Sequence, residues 1–318
     1  MLLFGFVAFF YFPFSIHNKK FDIIIIDEST VWLPFALTLK LLNVPLVLDV
    51  RTLPIDKEKS ILFDITIHLS KDVVDGITTI TPELEEYLRK RYTLQDKRFG
   101  IWASGVSIGK FANFYLTTDN IATLRNSNVF TLIYHGTYSS TRGIENLIRS
   151  LGELDIDIKK KTMLLIIGFS QKEKENILEL CERLAVTDQV KFIPQVPYEQ
   201  IPSYISIADV GVYPLPPENN WWRVSAPLKT LEYLASGKPV IITNIPFHKR
   251  IFEKGECGVI LDTNNPKDLA SAIRYLYENK GKLTNMGKRG REIVQKYHTW
   301  EHEALELEKF LQTIIERN

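Results

Sequence analysis

The sequence predicts an α/β fold with two doubly wound domains, each built around a parallel sheet. Short β-branched runs, which suit strands buried on both faces, alternate with amphipathic helical stretches along most of the chain. The length of 318 residues is about twice that of an average domain. A polar stretch over residues 117–128 separates two rounds of this alternation and is interpreted as the linker.

The first round contains three predicted strands, over residues 23–26, 44–50 and 78–81, with a helix over residues 35–42 after the first strand. Thr81 is a predicted N-cap for a helix that begins at Pro82 and runs to about residue 92. A threonine oxygen accepts hydrogen bonds from first-turn N–H groups, and proline suits the first helical position.

The second round is longer and predicts a complete Rossmann-like domain. Its six expected strands cover residues 129–134, 163–167, 190–193, 210–213, 239–243 and 259–261. Three helical stretches follow, the last over residues 300–316. The predicted divisions are therefore residues 1–116, 117–299 and a C-terminal helix over 300–318.

Charge and cysteine content narrow the functional classes. With 39 Lys and Arg against 38 Asp and Glu, the net charge is +1, so no nucleic-acid partner is predicted. Two cysteines, Cys181 and Cys257, fit a reducing compartment and predict a cytoplasmic protein without a disulfide framework. The cysteines lack metal-ligand spacing, and His298 and His302, four residues apart, lack a third ligand, so no metal site is assigned.

The N-terminal stretch over residues 1–14 is almost entirely apolar. It is shorter than the roughly 20 residues of a spanning helix, Pro13 interrupts it, and it lacks a basic signal-peptide start. Two interpretations stay open: an element on the membrane surface, or a helix buried on the first sheet. Lys19 and Lys20 suit anionic headgroups, so residues 1–20 are a candidate for peripheral contact with the inner face of the plasma membrane.

The run over residues 225–240 carries the strongest functional pattern. It places Lys229 and Glu232 three residues apart on the first turns of a helix, and hence on one face near its positive end. A carboxylate can accept hydrogen bonds from ribose hydroxyls while an ammonium meets phosphate, so a sugar nucleotide suits this pair. The alternative is a solvated Lys/Glu pair on an ordinary amphipathic helix.

A second candidate segment follows the first strand of the second domain. His135, Gly136 and Thr137 end that strand, and a polar loop leads to Arg142 and Gly143 at the start of the next helix. An arginine at a helix N-terminus suits a diphosphate, and a glycine lets the backbone approach it. Both segments are expected at the carboxyl ends of the strands, where such folds bind ligands. The alternative is a plain βα turn.

These segments together resemble retaining GT-B glycosyltransferases of glycosyltransferase family 4. The residues from Pro227 to Val240 are similar to the family signature Pro-x-Lys-x-x-Glu-Tyr-x-Ala-x-Gly-x-Pro-Val. Weaker matches follow the family's order over most of the chain, at residues 21–27, 103–106, 135–143, 207–210 and 256–259.

The resemblance implies two Rossmann-like domains facing across a cleft, with a tail that packs back on the first domain. The family's opening strand and glycine-rich turn would precede Met1, so the N-terminal domain is expected to be incomplete. The implied enzyme is a hexosyltransferase of polysaccharide or glycan assembly. It would use a UDP- or GDP-sugar as donor and a glycan, lipid-linked or protein-linked acceptor, with retention of anomeric configuration. The resemblance implies neither a bound cofactor nor a metal.

The resemblance also assigns residues. Arg142 would bind the donor diphosphate, Lys229 would support it, and Glu232 would bind the ribose. Thr137 stands where many members carry an arginine. The remaining donor-binding candidates from these segments and from the turn beside the base are His135, Gly136, Gly143, Val196, Pro227 and Leu228.

The loop facing the sugar departs from the family. Val224 stands in the place of the family's first glutamate and has no polar side-chain atom. Sugar contacts are therefore assigned to the neighbouring side chains Glu218, Asn219, Trp221, Trp222 and Arg223. Alternatively, the two tryptophans pack a domain interface or touch a membrane.

On the acceptor side, Arg51 lies near the position of a family histidine, with Asp49 beside it, and Gly105 lies in the counterpart of an Asn-Gly-Val turn. For Asp49 and Arg51 the alternative is a buried ion pair. At the level of function, two alternatives remain: a catalytically weak partner subunit that binds a nucleotide sugar, and another GT-B enzyme such as a nucleotide-sugar epimerase.

Overall fold

The computed structural model describes residues 21–29, 32, 36, 43–54, 57–112, 121, 124 and 128–316. The predicted N-terminal element, most of the helix over residues 35–42 and nearly all of the predicted linker lie outside these residues. The chain divides into two compact units. Unit 1 takes the described residues up to Ser104 together with residues 224–226 and 301–316, and unit 2 takes residues 105–223 and 227–300.

Unit 1 contains a four-stranded parallel sheet whose strands follow one another in chain order. The strands are Ile24–Asp27 (β1), Leu46–Val50 (β2), Gly76–Thr79 (β3) and Phe99–Ile101 (β4), with helices Lys57–Ser70 (α1) and Pro82–Tyr92 (α2). The three predicted strands are present. The fourth was missed because it has only three residues, one of them glycine, and so lacks a readable apolar run.

The predicted helix cap at Thr81 is confirmed. Its hydroxyl oxygen accepts from the backbone N–H of Leu84 at 3.2 Å and donates to the carbonyl of Val224 at 2.7 Å. One side chain therefore starts α2 and also holds the segment 224–226 within unit 1.

The C-terminal helix Trp300–Ile315, called α13 below, belongs to unit 1 from Glu301 onward. Phe310 lies directly over Gly100, where a Cβ atom would collide with the ring. Arg98 donates to the carbonyl of Thr313 at 2.9 Å, and Glu303 accepts from the backbone N–H of Ala103 at 2.5 Å. Because Gly100 has no side chain, the ring of Phe310 can pack directly on the sheet.

Unit 2 contains a six-stranded parallel sheet in the order β10-β9-β8-β5-β6-β7. The strands are Phe130–His135 (β5), Thr162–Phe169 (β6), Val190–Pro194 (β7), Val210–Tyr213 (β8), Val240–Thr243 (β9) and Gly258–Leu261 (β10). The chain fills one half of the sheet with β5 to β7, then crosses back to fill the other half. This doubly wound order places a switch point between β5 and β8, where the following loops diverge and leave a crevice.

Helices cover both faces of this sheet. They are Ile108–Ala112 (α3), Ile144–Gly152 (α4), Ile156–Lys160 (α5), Gln171–Arg183 (α6), Ile201–Ile207 (α7), Asn220–Arg223 (α8), Leu228–Ala235 (α9), Pro246–Phe252 (α10), Pro266–Glu278 (α11) and Lys280–Tyr297 (α12). All six residues of β5 are buried, as the continuous apolar run predicts for a central parallel strand. Unit 2 begins before the predicted border after residue 116, since α3 packs on α9.

One aromatic side chain anchors α9 over the end of β5. Tyr233 is fully buried, and its ring occupies the space where Gly211 of β8 has no side chain. Its hydroxyl accepts from the backbone N–H of His135 at 3.1 Å. Because α9 is held in this way, its residues Lys229 and Glu232 lie beside the last residue of β5.

Candidate functional site

The loop after β5 depends on two glycines. Gly136 has φ of +130° and Gly143 has φ of +72°, values that side-chain-bearing residues rarely adopt. A Cβ atom on Gly143 would also collide with the carbonyl oxygen of Pro214. Between them, the short 3-10 turn Ser140–Arg142 is capped by Ser139, whose hydroxyl accepts from Thr141 at 3.3 Å. This loop geometry places the guanidinium of Arg142 near the end of β5.

Arg142 is held by residues from the other side of the switch point. Its Nη1 donates to the hydroxyl of Tyr213, the last residue of β8, at 3.1 Å. Its guanidinium carbon lies 5.4 Å from the ring centroid of Trp222, within the range of a cation–π contact. The Trp222 indole donates to the carbonyl of Thr141 at 2.7 Å, so the tryptophan fixes both the loop and the arginine.

Arg142 and Lys229 adjoin each other at Gly136. A Cβ atom built on that glycine would lie 3.2 Å from Cε of Lys229 and 3.8 Å from Nη1 of Arg142. Among the described residues, neither cation has a carboxylate within the 4.0 Å of an ion pair. Burial lowers the pKa of Lys229, with the charge of Arg142 adding to it and that of Glu232 opposing it. The result is a partly buried positive corner that can bind an anion.

Glu232 lies on the next turn of α9, 3% exposed. Its Oε2 is 3.1 Å from Nε2 of His135, which is 4% exposed, and its Oε1 accepts from the hydroxyl of Tyr198 at 2.9 Å. Burial would raise the pKa of this carboxyl, but His135, the charge of Lys229 and the Tyr198 hydroxyl together lower it. An ionised carboxylate therefore stands beside the positive corner.

The other donor-side candidates have different surroundings. Trp222 is only 4% exposed, and its indole N–H and ring face are both used within unit 2. The side chains of Thr137, Glu218 and Arg223 are exposed, Val196 and Leu228 are half-buried, and Pro227 is buried at the N-cap of α9. Their roles in binding a donor stay predictions.

The predicted acceptor-side residues Asp49 and Arg51 lie in unit 1 and contact one another. Arg51 Nη1 donates to the carbonyl of Trp102 at 2.7 Å, its guanidinium carbon lies 4.1 Å from that indole ring, and its Nε is 4.0 Å from Asp49 Oδ2. Asp49 Oδ1 accepts from Thr78 at 2.7 Å and from the Trp102 indole at 2.9 Å. The two charges thus form the ion pair that was the alternative interpretation, and the acceptor role stays a prediction.

Gly105 belongs to unit 2, although it was assigned to the first domain. A Cβ atom there would lie 2.6 Å from the backbone nitrogen of Trp300. Close backbone packing accounts for this glycine, and its acceptor-side role also stays a prediction.

Two residues of the site were missed from the sequence, Tyr198 and Tyr213. Tyr213 carries a detectable signal, since it is a polar-tipped residue that ends an apolar strand next to the switch point. Tyr198 follows Pro197 in an irregular stretch with no motif, so no local pattern connects it with Glu232. Within the described ranges, His, Cys, Asp and Glu side chains do not gather in the groups of three that hold a metal ion.

Residues 117–293 match the family model of glycosyl transferases group 1. The chain belongs to this family. A curated relative, the D-inositol 3-phosphate glycosyltransferase of Paenarthrobacter aurescens, is 24% identical over 251 residues, which cover 76% of this chain and 59% of the relative. The chain thus spans less than two thirds of that relative's length.

Solved structures share the fold. Sucrose-phosphate synthase from Thermosynechococcus elongatus has a TM-score of 0.76 at 19% identity, covering 100% of this chain and 79% of that one. Anabaena HepE, solved in complex with UDP-glucose, has a TM-score of 0.71 at 15% identity, covering 95% and 80%. The predicted α/β fold of GT-B type is confirmed, and so is the predicted membership of a glycosyltransferase family. Within the described ranges, no helix is long and apolar enough to cross a bilayer.

Proposed function

We propose that this glycosyltransferase takes a sugar from a UDP- or GDP-linked donor. It transfers the sugar to a glycan, lipid-linked or protein-linked acceptor with retention of anomeric configuration. The observation that carries this proposal is the pair of cations, Arg142 and Lys229, beside Gly136, with no carboxylate of the described residues in ion-pair range. Such a corner at a switch point suits the diphosphate of a nucleotide sugar.

The chemistry follows from where charge develops. When the bond between the anomeric carbon and the diphosphate breaks, negative charge grows on the departing phosphate oxygens. Arg142 is already oriented by Tyr213 and Trp222, so it stabilises this charge without reorganising during the reaction. Lys229 adds a second positive charge on the same side.

The carboxylate of Glu232 completes the donor site. It lies one helical turn from Lys229 and is ionised, so it can accept hydrogen bonds from ribose hydroxyls while the cations hold the phosphates.

The UDP-glucose complex of HepE supports a uridine donor. The family resemblance in residues 227–240 supports retention, and the apolar residues 1–14 support assembly of the acceptor at the inner membrane face.

The test is calorimetric binding of UDP, GDP, ADP and their glucose conjugates to the wild-type protein and to Arg142→Ala and Glu232→Ala. One nucleotide is expected to bind selectively. Arg142→Ala is expected to weaken nucleotide binding by about 10- to 100-fold, the loss of a hydrogen bond to a charged group, and to slow sugar transfer by about 100- to 1000-fold. Arg149→Ala is the matched control, because Arg149 is exposed on the helix that follows the same loop. Absence of nucleotide binding by well-folded wild-type protein would contradict the proposal.

A second candidate function is a nucleotide-sugar-binding partner subunit with little turnover. Val224 favours it, because its side chain is buried and apolar and its carbonyl oxygen already accepts from Thr81. Release of nucleoside diphosphate from the selected donor in the presence of acceptor separates the two functions. Turnover supports the transferase, and tight binding without turnover supports the partner subunit.

A further inference from the structure

The Glu232 carboxylate has one fixed side and one side that can be uncovered. On the fixed side, Oε2 faces His135, which is buried and packs edge-on against Tyr233 with ring centroids 5.1 Å apart. On the other side, Oε1 is occupied by the hydroxyl of Tyr198, a residue 47% exposed. The carboxylate proposed to bind ribose is therefore almost fully covered, with Oε2 at 3.1 Å from His135 Nε2 and Oε1 hydrogen-bonded to Tyr198.

We propose that the Tyr198 hydroxyl occupies the position of a ribose hydroxyl on Glu232, and that a nucleotide donor must displace it to bind. This inference rests on the proposed function. Tyr198 is then a gating residue that competes with the substrate for the carboxylate, rather than a residue that supports binding.

The first argument is chemical equivalence. A tyrosine hydroxyl and a ribose hydroxyl both donate one hydrogen bond to a carboxylate oxygen. Burial, together with the nearby charge of Glu232, raises the pKa of Tyr198, so the hydroxyl keeps its proton and stays a donor. A bond at 2.9 Å to an ionised carboxylate is a charge-assisted one, which makes the competition significant.

The second argument is burial. At 3% exposure Glu232 cannot meet a ligand unless a covering group moves. His135 and Tyr233 are buried parts of the sheet and helix framework. Tyr198 instead begins a three-residue 3-10 turn after Pro197 and packs edge-on against Phe111 with ring centroids 6.1 Å apart. A half-exposed residue in a short surface turn is the member of this cluster that can move at the least free-energy cost.

The third argument concerns the direction of the effect. If Tyr198 supports binding, removing its hydroxyl weakens nucleotide affinity. If it competes, removing the hydroxyl raises the fraction of protein whose carboxylate is accessible, and the apparent affinity rises in proportion. The two roles predict opposite signs for one substitution.

The experiment is calorimetric titration of wild type, Tyr198→Phe and Tyr198→Ala with the selected nucleoside diphosphate and its 2′,3′-dideoxy form. Both variants are expected to bind the ribonucleotide about tenfold more tightly. This gain corresponds to part of the free energy of a hydrogen bond to a charged group. The dideoxy form is expected to show no such gain, since it forms no bond that the tyrosine hydroxyl replaces. Tyr92→Phe is the matched control, because it removes a tyrosine hydroxyl from a carboxylate, Asp64, within unit 1.

Unchanged or weaker ribonucleotide binding by Tyr198→Phe overturns the gate. An equal gain for the ribo and dideoxy forms also overturns it, since that result indicates steric opening without competition for the carboxylate. If wild-type protein binds no nucleotide at all, the proposed function itself fails, which is a different outcome from a failure of the gate.

Discussion

Arg51 in unit 1 and Arg142 in unit 2 lie in similar surroundings, but their charges are paired differently. Each lies after a buried parallel strand and beside a tryptophan ring. Arg51 is satisfied internally, by the carbonyl of Trp102 at 2.7 Å and the carboxylate of Asp49 at 4.0 Å. Arg142 instead has a tyrosine hydroxyl and a neighbouring lysine, Lys229. Among the described residues no carboxylate pairs with Arg142, so a bound anion can supply the opposite charge, and the proposed function assigns the donor diphosphate to this position in unit 2.

The difference also has consequences for stability. Burial lowers the pKa of Arg51 and Asp49 opposes that shift, so the network offsets part of the cost of a half-buried charge, and removing either partner would leave the other uncompensated. At the corner around Gly136, burial disfavours the charged form of Lys229, and repulsion from Arg142 adds to this while Glu232 opposes it, so a bound anion would stabilise the corner.

The largest expected effect comes from the loop that carries Arg142. Gly143→Ala forces alanine into a left-handed conformation and against the carbonyl oxygen of Pro214. We expect the free energy of unfolding to fall by about 3 kcal/mol, measured by urea denaturation. Gly109→Ala is the control, since its Cβ would meet no atom within 4 Å, and it is expected to be neutral or stabilising. Equal effects of the two changes would contradict the strain in this loop.

Neutral replacements of the two arginines should separate the two regions. Arg51→Met leaves Asp49 without its cation and is expected to reduce the free energy of unfolding by about 2 kcal/mol. Arg142→Met removes repulsion with Lys229 but also the hydrogen bond to Tyr213 and the contact with Trp222. It is therefore expected to reduce the free energy of unfolding by less than Arg51→Met does, by about 1 kcal/mol or less. The measurement is denaturation of both variants without nucleotide. A loss of stability in Arg142→Met equal to that in Arg51→Met would contradict the difference between the two arginines.

The pH dependence of nucleotide binding should report Lys229. Its pKa in the protein alone is lowered from 10.5, chiefly by burial, and a bound diphosphate favours the charged ammonium and raises it. Affinity is therefore full while Lys229 is protonated and falls as the pH rises through the lowered pKa. Calorimetry in buffers of different ionisation enthalpy should detect proton uptake on binding in that range. Lys229→Arg, which keeps its charge, should lose this dependence, and an identical profile would contradict the assignment.

The smallest effect is expected at acid pH. The pKa of Glu232 is lowered from 4.5 in the folded protein, because contacts with His135, Lys229 and Tyr198 outweigh the opposing effect of burial. Its ionisation stabilises the fold fully above the unfolded-state value, and this contribution is lost as the pH falls through the lower folded-state value. Glu232→Gln should therefore show a shallower loss of stability below pH 4.5 in acid denaturation. A steeper loss would mean that the carboxyl is neutral in the fold.

Much of the fold was predictable because its signals are local. Strands buried on both faces require continuous apolar runs, and β5 and β8 appear in the sequence as such runs. The Thr81 cap and Pro82 start act within a single helical turn. Strand β4 escaped prediction because three residues around Gly100 pair through their backbone and are covered by Phe310 from a distant helix.

The candidate site divides in the same way. The sequence by itself determined that Lys229 and Glu232 share a helix face and that Arg142 follows a glycine loop, since both depend on neighbours in the chain. Only the tertiary structure decided that Tyr198 covers Glu232 and that, within the part of the chain that the structure describes, Arg51 has a carboxylate partner and Arg142 has none. The physical reason is that pairing and burial of charges depend on distance through space. In a doubly wound sheet that distance is set by the order of the strands, whereas spacing along the chain does not determine it.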